Sequence, residues 1–254
     1  MMSQDTSSSS RAKYAYCIIR TAVNKGFGKI GIGTPSSNVY TITFKNLGAV
    51  VSDTPFIRYE PNEENALAHE RVVEKVMEDH TVLPVRFGTI FKDEKNVRTM
   101  LVRAYSQFLS ELRRLDGKVE IGLKVFWKPH EAIREAEKNP SIQRLKQAIP
   151  SQSTGLAYLM RKKLDESVKA ELNRKADAYS GRIYRTLRKQ TIEAKLLKPI
   201  GHMILNATFL VPRDRMQVFG DEVKRLKEEF EAKGPEFLLS GPWPPYNFVT
   251  LNYQ

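Results

Sequence analysis

Two hydrophobic periods alternate along the 254-residue chain, and the points where one gives way to the other mark its elements. The change is sharpest between His69 and Phe91. Val72, Val73, Val76 and Met77 fall on one face of a helix whose other face carries Glu70, Glu74, Lys75, Glu78 and Asp79. From Val82 onward the apolar residues are too dense for a solvated loop. A strand over 83–91 is expected, beginning at an edge or just after Pro84, which lacks a backbone donor. Upstream, Tyr14–Arg20 reads as a strand and Thr21–Asn38 as a long polar, glycine-rich connection. Val39–Lys45 alternates apolar residues with threonine, and Asn46-Leu47-Gly48 turns it into a second strand from Ala49. A helix is expected over about 64–79, with Asn62 as its cap, and another from Lys92 or Asp93 to Leu115, stopped by Asp116-Gly117.

The second half opens on the clearest strand, Lys118–Lys128, where Val119, Ile121, Leu123, Val125 and Trp127 fill alternate positions. Residues 129–150 read as helix interrupted at Asn139-Pro140 and Pro150. Ser151–Gln190 carries one very long helical pattern, its stripe running Leu156, Met160, Leu164, Val168, Leu172, Ala176, Tyr179, Ile183, Leu187. Steps of four over-rotate by ~40° each, so this stripe spirals and cannot face one flat partner. At 1.5 Å per residue the helix would reach ~60 Å, so one end must project or Gly181 must bend it. Two strands, 191–197 and 202–211, follow around Lys198-Pro199-Ile200-Gly201. An amphipathic helix over 213–233, a strand at 237–240 and an aromatic, proline-rich tail over 241–248 complete the chain.

The expected fold class is α+β in two domains. The first, 14–117, is mixed (β-β-β-α-β-α) and follows a disordered tail over 1–13. The second, 118–254, has the β-α-β-β-α-β order of a ferredoxin-like domain and includes the tail.

Charge refines this picture. The net charge is +12, but residues 1–117 hold 16 basic and 13 acidic side chains, net +3, whereas 118–254 hold 25 and 16, net +9. A basic half suits an acidic partner, a nucleic acid, a membrane surface or simply water. Cys17 is alone, so no internal disulfide forms; it sits in an apolar run and reads as a small packed hydrophobe. No apolar stretch is long enough to span a bilayer, and the polar start does not resemble a secretory signal.

Candidate chemistry is sparse. Gly26-Phe27-Gly28-Lys29-Ile30-Gly31 matches the dinucleotide spacing literally, but the residues that follow, including Gly33 and Pro35, cannot open the helix a pyrophosphate needs. Lys25-Gly26-Phe27-Gly28 starts like an RNA-recognition motif, but Lys29 and Ile32 stand where stacking aromatics belong. His69-Glu70 lacks a second histidine four residues on, so no zinc-protease motif forms, and His69 reads as a helix-face residue with a local hydrogen bond. Arg86 is expected to be buried or half-buried in an ion pair with Glu70 or Glu74. The basic set Arg182, Arg185, Arg188 and Lys189 lies on one long helix with acids interspersed. No catalytic, cofactor or metal residues are assigned.

Four stretches, taken together, resemble the gas vesicle GvpF/GvpL family. They are His69 to Phe91, with its Val-Leu-Pro-Val-Arg-Phe-Gly-Thr; Gly117-Lys118-Val119-Glu120-Ile121-Gly122-Leu123-Lys124-Val125; Gly155-Leu156-Ala157-Tyr158-Leu159-Met160-Arg161-Lys162-Lys163; and the closing Leu239-Ser240-Gly241-Pro242-Trp243-Pro244-Pro245-Tyr246-Asn247-Phe248. The glycine-rich segment 24–38 and the serine-rich start depart from the family pattern. The resemblance, closer to GvpF than GvpL, implies a cytoplasmic, non-enzymatic accessory protein associated with the gas vesicle, with no cofactor. It implies binding to the hydrophobic shell protein GvpA and other accessory Gvp proteins, with neither nucleic acid nor membrane as partner. Holding such a shell protein calls for an exposed apolar patch with a charged rim. The candidates are Trp243, Tyr246 and Phe248 in the tail, and the projecting end of the long helix with Arg182 and Arg185. Trp243 and Tyr246 could instead seal the second domain's sheet. The alternative function is an RNA-binding ferredoxin-like module.

Overall fold

Residues 11–33, 35–149 and 153–250 are described by the computed structural model, which divides into two compact units: residues up to Glu120 together with those from Trp243, and Ile121–Pro242. The segment after Trp243, expected to go with the second domain, groups with the first unit.

In the first unit, β1 (Ala12–Arg20) is central. Antiparallel to it lies β4 (Leu47–Thr54), followed outward by β3 (Ser37–Phe44) and β2 (Gly26–Gly31). On its other side β5 (Val82–Pro84) pairs with Cys17–Ile19 and β6 (Ile90–Phe91) pairs with Lys13 and Tyr14. A strand with neighbours on both sides and both faces covered needs apolar residues throughout, which is why β1 is an unbroken apolar run from Tyr14 to Ile19. Helix α1 (Glu63–Met77) starts where the Asn62 side chain accepts from the Asn65 amide, and lays Val72, Val73, Val76 and Met77 against Tyr14, Tyr16 and Ile19. Asp93 caps α2 (Glu94–Arg103) in the same way.

Five expectations change here. The connection 21–38 contains a strand, β2, which its glycines hid: Gly28 takes φ +88 where the pairing with β3 is bulged. The 83–91 strand is two short strands, because the chain turns over 85–89 with Gly88 at φ +79. That turn leaves Arg86 exposed, with no ion pair among the described residues, in place of the buried pair expected. The helix expected from Asp93 to Leu115 breaks at Ala104 (φ −100, ψ 14) into α2 and α3 (Tyr105–Leu115); Tyr105 donates to Asn46 Oδ1 at 2.6 Å and packs edge-on against Phe44. Strand β1 begins two residues before Tyr14, and the part of the expected disordered tail over 1–10 lies outside the described residues.

The second unit runs β7 (Lys118–Trp127), α4 (Pro129–Glu137), α5 (Pro140–Ala148), α6 (Thr154–Arg188), β8 (Glu193–Leu196), β9 (Met203–Pro212), α7 (Met216–Phe230) and β10 (Pro235–Trp243). Its sheet has the order β10-β7-β9-β8. Prolines occupy the first positions of α4 and α5, where no amide is needed; the break expected at Pro150 lies outside the described residues. Helix α6 has 35 residues. As its four-residue spacing requires, its stripe is not uniformly covered: Ile183 and Leu187 are buried, whereas Leu156 is exposed. Trp127 packs at a tilt against Tyr179 with ring centroids 5.3 Å apart, and Tyr179 meets Phe230 at 5.0 Å.

Candidate partner-binding surfaces

The titratable groups inside the molecule serve its structure. Tyr14 Oη lies 3.0 Å from His69 Nδ1 and accepts the Gly88 amide at 2.9 Å. Tyr16 Oη meets Ser52 Oγ at 2.8 Å and accepts the Ile32 amide at 2.8 Å. Burial pushes the Tyr16 hydroxyl up to about 12 and the Tyr14 hydroxyl higher still, and lowers His69 to about 4, so all three are neutral near pH 7. The bond His69 makes is to a residue 55 positions away, not the local one expected. Cys17 is fully buried and its thiol is pushed far above its ordinary value, so it has no thiolate character. In the second unit, Glu135 on α4 accepts from Lys175 (2.7 Å) and Tyr179 (3.1 Å) on α6 and pairs with Lys138 (2.6 Å). Burial works against its charge, but these donors win and hold its carboxyl down at about 2. No group of three or more possible metal ligands occurs among the described residues.

The glycine segment is strand β2, not a phosphate loop. The first described helix after it is α1, which opens on Glu63 and Glu64, acids that repel an anion.

The proposed contact residues are placed differently from one another. Phe248 is buried in the first unit, where Arg114 donates to its carbonyl at 2.6 Å. Beside it, Asn247 donates its backbone amide to Glu120 at 2.9 Å, and its side-chain amide reaches the same carboxylate. Trp243 is half-buried, and Tyr246 is 37 % exposed. Crowding around the Tyr246 hydroxyl nonetheless raises its pKa strongly, helped by the negative charges of Glu70 and Glu74 on α1. In the second unit, Arg182 faces Glu229 at 3.5 Å, and Arg185 folds back over Gly181. At the start of α6, Leu156, Tyr158 and Leu159 are exposed together, while Ala157 is buried.

A further surface escaped the sequence reading. In the first unit Phe56, Ile90, Phe91 and Met100 line an open groove of about 620 Å³, whose rim includes Lys92, Arg103 and Gln107. No acidic residue lines it, and neither Lys92 nor Arg103 has an ion-pair partner among the described residues. Phe56 is 71 % exposed and Ile57 53 %, a large apolar pair left in water. The only sequence signal was that pair itself, standing in the otherwise polar loop 55–62.

Comparison with known proteins places this architecture. The family profile "Gas vesicle synthesis protein GvpL/GvpF" matches residues 12–250. Gas vesicle protein F of Streptomyces sp. (strain CB03234) is 29 % identical over 238 residues, covering 93 % of this chain and 98 % of its own. Gas vesicle protein L of the same strain is 30 % identical over 194 residues, covering 73 % and 69 %. The crystal structure of GvpF from Anabaena sp. PCC7120 superposes with a TM-score of 0.79 at 22 % identity, covering 96 % of this chain and all of that one, and so shares the fold. With the profile running through both units, the chain belongs to the GvpL/GvpF family of gas vesicle synthesis proteins.

Proposed function

We propose that this protein is an F-type accessory factor that acts in gas vesicle assembly by holding the hydrophobic shell protein GvpA, and other Gvp proteins, before they are built into the shell. The reading has it work by surface alone, without catalysis, in the cytoplasm and at the growing vesicle. The near-complete mutual coverage with a gas vesicle protein F supports the F assignment. The second unit, with its β-α-β-β-α-β chain order and sheet order β10-β7-β9-β8, is read as a ferredoxin-like domain.

The observation that carries the reading is the groove in the first unit. Its apolar floor offers Phe91 and Met100 to an apolar segment, and its rim offers two uncompensated cations. A chain that is apolar and flanked by acids would gain burial on the floor and charge pairing at the rim, and an acid-free lining repels no such chain. Exposed Leu156, Tyr158 and Leu159 on α6 are a second contact for the same class of partner. The experiment is a clean deletion of the gene in a vesicle-forming host. Shell protein should still be made while vesicles fail to form, and normal vesicles in the deletion strain would reject the proposal. The RNA-binding alternative is checked in parallel by titrating single-stranded RNA against salt, since phosphate contacts give a steep negative slope.

A further inference from the structure

One wall of the groove at Phe56 is a single helix face. Its lining positions on α2 and α3 are 96, 99, 100, 103, 104 and 107, steps of three and four that fall on one stripe. The stripe survives the break at Ala104. There the Ala104 amide still donates to the Met100 carbonyl at 3.0 Å, and the Phe108 amide to the Ala104 carbonyl at 2.9 Å. From 96 to 107, at 1.5 Å per residue, this wall is ~16 Å long, about three turns. The rest of the lining comes from Phe56 and from β6 with Lys92.

What the lining cannot offer decides the guest. Strand β6 has two residues, held to β1 through Lys13 and Tyr14, so at most one of them turns its backbone groups outward. Backbone groups inside α2 bond along the helix and are spent. Thr99 already donates its hydroxyl to the Lys95 carbonyl at 2.9 Å, and Gln107 donates its side-chain amide to the Thr250 carbonyl at 3.3 Å. An extended segment laid here would bury a row of its own amides and carbonyls with almost nothing to receive them. A helix satisfies its backbone internally and asks only for side-chain contact. The charge of the guest follows from the rim: Lys92 and Arg103 have no ion-pair partner among the described residues, and no acid lines the groove. Met100, unbranched and adaptable, suits a floor that must fit another surface.

We infer that this groove receives an amphipathic α-helix of about three turns from a partner protein, its apolar stripe on Phe56, Phe91 and Met100 and its acids toward Lys92 and Arg103. The inference rests on the reading of the groove as a docking surface and adds the conformation and the charge of what it takes.

Two phage-displayed libraries of about 14 residues, three turns with ends, panned on the full chain, test it. One is apolar at i, i+3, i+4 and i+7; the other alternates apolar and polar positions, as a strand does. Polar positions in both carry acids and bases equally. The helical library should be enriched, with acids over bases beside the apolar stripe, and the alternating library should not. Recovery of the selected peptides should fall ~10-fold with Phe56→Asp, and panning on Lys92→Glu/Arg103→Glu should select bases instead. Circular dichroism confirms that both variants are folded. Enrichment of the alternating library, no enrichment of the helical one, or recovery indifferent to these substitutions overturns the inference. Capture that appears only when the chain is cut after Thr250 assigns the groove to residues 251–254 and also overturns it. Neither library contains the shell protein. Groove-dependent recovery of shell protein without helical selection therefore sinks this inference alone, and helical selection without shell-protein recovery sinks the proposed function alone.

Discussion

Replacing Glu135 by glutamine should destabilise the second unit at neutral pH, and the loss should fade in acid. Glu135 joins α4 to α6: its carboxylate takes Lys175 and Tyr179, and Lys175 also donates to the Glu135 carbonyl at 2.8 Å. The side chains of Glu135 and Lys175 are only 10 % and 14 % exposed, so water screens the pair poorly. Its carboxyl falls from 4.5 to about 2 on folding. At about 1.4 kcal/mol per pH unit, that is worth at most about 3 kcal/mol at pH 7, and less to the extent that water screens Lys138, the exposed partner that also lowers it. The folded value is depressed, so this stability is fully present above the unfolded value of 4.5 and is lost as pH falls toward 2. By pH 3, linkage leaves about 1.4 kcal/mol of it. Glutamine keeps an oxygen for Lys175 and removes the charge. The assay is urea unfolding followed by Trp127 fluorescence in a Trp243→Phe background. Trp127 packs against Tyr179 and donates to the Lys233 carbonyl at 3.0 Å, so it reports on this unit. The wild type should exceed Glu135→Gln by up to about 3 kcal/mol at pH 7, and the gap should roughly halve by pH 3. Equal stabilities at pH 7, or a gap that does not change with pH, would refute the reasoning.

Other outcomes follow from the same structure. His69 is held near 4 against 6.5 when unfolded, so the first unit should lose up to about 3 kcal/mol between pH 6.5 and 4, read by hydrogen exchange of the β1 amides across that range. Gly48→Ala should cost about 1–3 kcal/mol by denaturant melt, because the new methyl would lie 2.6 Å from Thr21 Cγ2 inside β4. Glu120→Ala removes the acceptor of both Asn247 donors, and hydrogen exchange over 244–250 should quicken.

Much of this fold was legible because side-chain period and burial coincide. The α1 face, the β7 alternation and the Asn62 cap were readable because each depends only on residues a few positions apart. The glycine-rich β2 was not, since its strand geometry comes from pairing with β3 and leaves no apolar signature of its own. The break at Ala104 was hidden because apolar spacing continues through it, while the cause, Tyr105 on Asn46, lies 59 positions apart. His69 was misjudged for the same reason: its partner, Tyr14, is on another element. The tail's aromatic residues were conspicuous in sequence, but Phe248 is spent inside the first unit. The groove at Phe56 is assembled from a loop, a strand end and a helix, so no contiguous stretch spells it out.

The central claim is that this protein works by presenting shaped surface to a hydrophobic chain. Its most direct test is co-expression with the GvpA-type shell protein, capture of the full chain, and measurement of the shell protein recovered per mole. The account predicts strong recovery with the wild type and a drop of ~10-fold or more with Phe56→Asp/Lys92→Glu/Arg103→Glu, at an unchanged melting temperature. Recovery that is the same with and without the groove residues, in folded protein, would contradict it.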